Sequence, residues 1–208
     1  MTMMASETSA PRHGGYTAIE TLHRGGRATL FRALRAGDPR SVVLKVLDPK
    51  RCRDRDLERL RREYELGMSL DLPGVVRPIA LETYQGMPAL VLEDFGGQPL
   101  DLLIGAPMPV ERFLDLAVRM ASALAELHRQ GVVHKDVKPE NVLVHPATQE
   151  VKLADLCIAT RLPREQQAPR PPLLIEGSLP YMSPEQTGRT NRAVDSRSDL
   201  YSLGVTFF

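Results

Sequence analysis

Cysteine is scarce in this sequence: only Cys52 and Cys157 occur among its 208 residues. Two thiols cannot build a disulfide framework and these lack the spacing of a zinc site, so a reducing, cytoplasmic setting is expected. Net charge is nearly absent as well, at +1. That excludes the global basic field that draws a protein to nucleic acid or to an anionic membrane, and any charged partner must be recognised locally. No apolar run approaches the roughly 18 to 20 residues needed to cross a bilayer, and residues 1–15 lack the basic-then-apolar order of a signal peptide, so no membrane insertion is expected. The five histidines suggest no metal cluster. What remains, 42% apolar and 25% charged residues, is the make-up of an ordinary soluble globular protein.

Residues 1–15, with Ser, Thr, Gly and Pro11 but no apolar period, read as a flexible leader. Short strand-like runs follow at Tyr16–Leu22, Thr29–Leu34, Ser41–Leu47, Val75–Tyr84 and Ala89–Glu93, with turn signals at Gly37-Asp38-Pro39 and Gln85-Gly86. Together they predict a small antiparallel sheet. One helix interrupts it, from Asp54 to about Leu70. At 100° per residue Leu57, Leu60, Tyr64, Leu66, Met68 and Leu70 gather on one broad face, opposite Asp54, Arg55, Glu58, Arg61, Arg62 and Glu65. Glu63 falls inside the apolar arc, and a carboxylate buried there requires a cationic partner.

After Gly96-Gly97 the pattern turns helical. Pro109 suits a first helical turn, and Phe113, Leu116, Ala117, Met120, Leu124 and Leu127 recur at three- and four-residue steps until Gly131. Strands are expected at Val142–Val144 and Val151–Leu153, then a proline-rich loop at Pro163–Pro172 and an apolar segment at Leu200–Phe208. The expected division is a leader at 1–15, a first lobe at 16–95 and a second at 96–208.

The strongest chemical signal is His134-Lys135-Asp136-Val137-Lys138-Pro139-Glu140-Asn141, with Asp155 following. This run resembles the catalytic loop His-Arg-Asp-x-Lys-Pro-x-Asn of the protein kinase superfamily. Lysine at 138 is similar to the serine/threonine type. The resemblance extends over about Tyr16–Phe208 and implies an α+β, bilobal kinase-like fold: a small antiparallel-sheet lobe with one helix, and a mainly helical lobe that stops within its central helix.

Phosphoryl transfer demands positioning and charge neutralisation more than covalent work from the protein. By the resemblance, Asp136 is the acceptor of the hydroxyl proton, Asn141 and Asp155 are Mg²⁺ ligands, and Lys138 reaches the transferring phosphate. Lys45, in Val42-Val43-Leu44-Lys45, matches the strand lysine that holds the α- and β-phosphates of ATP, with Glu63 as its ionic partner. Leu92 resembles a gatekeeper, and the backbone from Glu93 to Phe95 a hinge that meets adenine between Leu22, Leu30, Val43 and Leu143. Gly177–Glu185 is similar to the end of an activation segment, with Ser178 in the place of a threonine that contacts the catalytic aspartate. Asp199 matches the aspartate that braces the catalytic loop; a lone aspartate before an apolar helix is otherwise an N-cap.

The sequence also departs from the pattern. Of the three glycines of the phosphate-covering loop only Gly25 is in place, with His23 and Ala28 at the other two, and weaker ATP affinity is expected. Asp155-Leu156-Cys157 replaces Asp-Phe-Gly, keeping the ligand and an apolar plug while losing glycine's backbone freedom. Cys157 reads as a buried inert thiol, with a redox role as the other reading. Lys135 replaces an arginine that receives a loop phosphate, which argues against strict dependence on loop phosphorylation. Thr160, Ser178, Thr187 and Thr190 are phosphosites by location only. Leu203, Val205, Phe207 and Phe208 are expected to lack cover and Glu185 its arginine, so poor stability and little activity are expected of this chain alone.

The expected function is therefore ATP- and Mg²⁺-dependent transfer to Ser/Thr hydroxyls of a protein substrate. A pseudokinase that binds nucleotide to regulate attached domains is the alternative, and a small-molecule kinase of the same fold is disfavoured by Ser183-Pro184-Glu185. Asp71–Val76, Leu92–Gly97 and Ser183–Arg189 further resemble the N-terminal kinase domains of very large bacterial signalling proteins, which implies further domains in the same polypeptide.

Overall fold

Alternation of apolar and polar side chains sets the first part of the chain. In the computed structural model, which describes residues 15–105, 107–162, 176–190 and 192–208, β1 (Tyr16–Arg24), β2 (Ala28–Arg35), β3 (Ser41–Leu47), β4 (Pro78–Tyr84) and β5 (Met87–Glu93) form one antiparallel sheet in the order β1-β2-β3-β5-β4. Successive strand residues point to opposite faces. Leu44 and Val46 of β3 therefore join Tyr16, Ala33, Tyr84, Ala89 and Val91 in a buried cluster. Val43 and Lys45 take the other face, where Lys45 pairs with Leu30 and Leu90, and Val43 with Arg32 and Leu92. A register shift between Thr21 and His23 bends β1 just before the β1–β2 turn.

The helix α1 (Asp54–Met68) ends two residues short of the expected limit. Leu60 and Glu63 are buried, at 2% and 4% exposure, whereas Met68, assigned to the apolar face by its phase, is exposed because the helix stops there. Asp56 is buried too, although its neighbours make a polar face. It accepts the Arg53 N–H at 3.1 Å, the return bond of a capping box, with the Arg27 guanidinium 3.9 Å away.

Further along come β6 (Gln98–Pro99), α2 (Val110–Arg129), β7 (Val132–Val133), β8 (Val142–Val144), β9 (Val151–Leu153), β10 (Thr160–Arg161) and α3 (Ser196–Phe207). Helix α2 starts at Val110, with Pro109 as its N-cap residue, and buries Leu116, Met120, Ala123, Leu124 and Leu127. This stripe packs with Val132, Val137, Val142, Val144, Leu153, Leu156 and Leu203 in a second core. The α+β class is as the sequence indicates.

The chain divides into two compact units, 1–58 with 78–94, and 59–77 with 95–208. Residues 59–77, which the sequence groups with the first lobe, thus fall with the second unit. The cause is local: Gly74 C=O accepts the Leu153 N–H, Leu153 C=O accepts the Val76 N–H, both at 2.8 Å, and Gly74 lies so close to α2 that a Cβ would come within 2.7 Å of the Ala123 Cβ. The leader, apart from Gly15, and the proline-rich loop Pro163–Pro172 lie outside the described residues.

Leu203 and Phe207, expected to lack cover, are packed: Leu203 is buried, and Phe207 meets Phe113 edge-on at 5.6 Å between ring centroids. Phe208 is exposed, as are Leu114, Val118 and Leu200. Among the described residues no helix is long and apolar enough to cross a membrane.

Candidate active site

The loop between β7 and β8 is held by hydrogen bonds that explain its residue types. His134 is fully buried. Its Nδ1 lies 3.3 Å from the Asp136 amide, which can only donate, so Nδ1 accepts and Nε2 carries the proton donated to Ala154 C=O at 3.0 Å. Lys135 has φ 69°, a left-handed conformation that side chains other than glycine seldom adopt. It is held at both ends of the residue: its N–H donates to Asp199 Oδ1 at 2.7 Å, and its C=O accepts Gln186 Nε2 at 2.8 Å.

Asp199, on the first turn of α3, is the organising carboxylate. Besides Lys135 N–H it takes the His134 N–H and the His128 Nε2 on Oδ2, both at 2.8 Å, with no exposed surface. It is not the helix cap; that place belongs to Asp195, whose side chain accepts from Arg197 N–H. His128, in the last turn of α2, was absent from the sequence reading. The signal was available, since it follows Leu124 by one helical turn.

At the centre, Asn141 Nδ2 donates to Asp136 C=O at 2.8 Å and to Asp136 Oδ2 at 3.0 Å. The Lys138 ammonium lies 3.4 Å from the same Oδ2 and donates to Ser178 Oγ at 2.7 Å. Asp136 Oδ1 is enclosed and has no hydrogen-bond partner among the described residues. Gly177 covers this corner with φ 119°, and a Cβ there would sit 3.1 Å from Lys135 O and 3.5 Å from Asp136 Oδ1, so only glycine fits.

Asp155 is joined to the loop through its neighbour: the Ala154 N–H donates to Asn141 C=O at 2.9 Å. Its φ of 65° is the second left-handed non-glycine at the site. Leu156 is buried in the core, as the plug reading requires, and Cys157 is half-buried. With Nδ2 committed to Asp136, Asn141 has its Oδ1 left to offer, and Asp155 brings a carboxylate. Such an all-oxygen, partial donor set suits Mg²⁺, which keeps waters and substrate phosphates in its shell. Among the described residues no group of three or more His, Cys, Asp or Glu forms a cage for a metal.

Gln186, also missed by sequence, links two segments. Its Oε1 accepts the N–H and hydroxyl of buried Ser183, both at 3.1 Å, while its amide holds Lys135. Glu185, expected to lack its arginine, accepts the Ser198 hydroxyl at 2.6 Å. Burial works to raise the Glu185 carboxyl, and hydrogen bonds from Ser198, its own backbone and Ser183 outweigh it, holding it below the ordinary carboxylate range.

In the first unit, the residues expected to meet a nucleotide occupy β1, β2, β3 and β5. Leu30 and Lys45 are cross-strand partners, Val43 shares their face, and Leu22 flanks the bulge in β1. Gly25 closes the β1–β2 turn by donating to Ala28 C=O at 3.0 Å, and neither it nor Gly26 adopts left-handed backbone. The turn therefore does not use the freedom that a glycine-rich loop provides. Glu93 ends β5, and the adjoining Asp94 is gripped by Arg32 at 2.7 Å. In the second unit, Leu143 lies on β8, and Phe95 lies 5.0 Å beneath the Lys152 ammonium, a cation–π contact.

The family model described as "Protein kinase domain" matches residues 16–208. Among curated proteins, the chain is 31% identical over 207 residues to serine/threonine-protein kinase pkn2 of Myxococcus xanthus, covering 97% of this chain and 25% of that protein. It is 34% identical over 211 residues to serine/threonine-protein kinase PknJ of Mycobacterium tuberculosis, covering 99% and 35%. The solved PknI kinase domain of Mycobacterium tuberculosis superposes with a TM-score of 0.68 at 25% identity, covering 97% of this chain and 76% of that one. The chain thus spans between a quarter and about a third of the length of these two curated relatives.

Proposed function

The chain belongs to the protein kinase family, and from that premise we propose that it transfers the γ-phosphate of ATP to serine or threonine hydroxyls of a protein substrate. The observation that carries this reading is the state of Asp136: Asn141 and Lys138 converge on its Oδ2, while its Oδ1 has no hydrogen-bond partner among the described residues. An oxygen so placed is a ready acceptor for a hydroxyl proton.

In this reading the substrate oxygen gives its proton to Asp136 Oδ1 and forms the new bond to the γ-phosphorus, while the bond from that phosphorus to the bridging oxygen of ADP breaks. Lys138, bridging Asp136 and Ser178, puts a cation beside the attacking oxygen. Asn141 and Asp155 hold Mg²⁺, which when bound neutralises the phosphate charge. Lys45, with Glu63 as ionic partner, holds the α- and β-phosphates. Leu22, Gly25, Leu30, Val43, Glu93, Phe95 and Leu143 receive the rest of the nucleotide. A cytoplasmic setting and further domains in the same polypeptide complete the reading, the second supported by the short span of the relatives that the chain covers.

Transfer of radioactive phosphate from ATP to a Ser/Thr-rich protein such as casein, by the wild-type protein and by Asp136→Ala and Lys45→Met, tests the proposal. Transfer that both substitutions abolish is expected. Mg²⁺-dependent ATP binding with no Asp136-dependent transfer to any protein would establish the pseudokinase reading in its place.

A further inference from the structure

Glu176 ends the stretch that leads to Gly177, and it is the focus of a cationic cluster. The Arg59 guanidinium of α1 donates to its Oε1 at 2.5 Å. The Lys135 side chain feels the same carboxylate: burial pushes its ammonium below the ordinary lysine value, the Glu176 and Asp199 carboxylates oppose that, and Arg62 of α1 adds to it. Asp199 is already committed to two backbone N–H groups and His128. Two cations, Arg59 on α1 by a direct hydrogen bond and Lys135 through its electrostatic field, thus act on Glu176, an arrangement that accommodates an anion at this point of the chain.

What fixes Glu176 also fixes the strip after it. Gly177 abuts Lys135 O and Asp136 Oδ1, and Ser178 accepts from Lys138. The sequence supplies a second, independent observation. From Leu162 to Glu176 there is no serine, threonine or tyrosine. Of the flanking hydroxyls, Thr160 Oγ1 is enclosed and Ser178 is engaged by Lys138. A phosphate carried by this stretch therefore has nowhere to be attached.

We propose that Glu176 is the resident anion of this cluster, a positioning residue whose carboxylate, held by Arg59, seats Gly177–Met182 against Asp136 without phosphorylation of the segment. The proposal rests on the kinase reading of the site. Its consequence is a kinase whose segment is set by the sequence itself, leaving control to other parts of the protein.

The test uses the full-length protein and phosphate transfer to casein. Wild-type protein stripped by a broad-specificity phosphatase is expected to keep its rate within about twofold, while Glu176→Gln loses about tenfold or more in kcat and Glu176→Asp recovers most of it. In a double-mutant cycle, Arg59→Gln with Glu176→Gln is expected to be no slower than Glu176→Gln alone. A rate abolished by phosphatase, a Glu176→Gln rate equal to wild type, or losses that multiply would each overturn the proposal. Amide hydrogen exchange gives a readout free of activity: protection across Gly177–Met182 should drop about tenfold in Glu176→Gln with α2 unchanged, and unchanged protection of the strip overturns the proposal. If wild type shows no Asp136-dependent transfer, the kinase reading fails while the exchange comparison still decides the role of Glu176.

Discussion

Replacing Asp199 by alanine removes the acceptor for three buried donors at once: His134 N–H, Lys135 N–H and His128 Nε2. A buried donor left without a partner costs about 1 to 3 kcal/mol, so the summed loss is about 4 kcal/mol or more. Against a domain stability of about 5 to 15 kcal/mol this is a large fraction. Asparagine is the sharper probe. Its oxygen can still serve His134 and His128, but its NH₂ then faces the Lys135 N–H, donor against donor, at a cost of about 2 kcal/mol. The left-handed Lys135 loses one of its two tethers and relaxes, and Asp136 moves with it. Urea unfolding gives the stability difference at constant m-value, and phosphate transfer gives the kinetic one; a loop displaced by about 1 Å lowers kcat about a hundredfold. A loss below about 1 kcal/mol for Asp199→Ala, or kcat unchanged in Asp199→Asn, would refute the claim that this carboxylate holds the loop.

Gln186→Met keeps the volume but strands Ser183 and the Lys135 carbonyl; a loss of about 2 kcal/mol in thermal or urea unfolding is expected, accompanied by a fall in kcat larger than any change in KM for ATP. Gly177→Ala meets both the φ penalty and the Lys135 oxygen, so transfer should drop by tenfold or more, about 1.4 kcal/mol, while far-ultraviolet circular dichroism is unchanged. Ser198→Ala tests the lowered Glu185 carboxyl. A depressed folded value stabilises fully above the unfolded carboxyl value of about 4.3 and ceases to do so as pH falls through the folded one. The melting-temperature gap between wild type and Ser198→Ala should therefore be widest near neutrality and close in acid; a gap independent of pH contradicts it.

How far the sequence could be read depended on whether a feature is periodic. The phase of α1 placed Glu63 inside the core because helix geometry turns spacing into direction, and the β3 run Ser41–Leu47 was legible for the same reason at period two. The chemical residues were legible as a motif, and Asp136, Lys138 and Asn141 indeed meet within hydrogen-bond or ion-pair reach. Features set by tertiary contact were not. Left-handed backbone at Lys135 and Asp155 leaves no mark in residue type, since neither is glycine. Gln186 looks like any surface amide until its three partners are seen. Asp56 reads as one more charge on a polar face, and only its return bond to Arg53 explains its burial. Glu185, expected to be without its arginine, is instead met by a hydroxyl on α3 that a search for cations does not reveal.

The bond from His134 to Asp199 joins residues separated by 65 positions, and that interval has a meaning in time as well as in space. A ribosome adding about 5 to 20 residues per second takes roughly 3 to 13 s to traverse it. During that period the catalytic loop has left the peptidyl-transferase centre and its brace has not yet been synthesised. Lys135 then has no acceptor for its N–H and no reason to hold a left-handed backbone. The nascent chain consequently carries every residue of the loop before the contacts that order it exist, and the arrangement around Asp136 forms only once the first turn of α3 has emerged and docked.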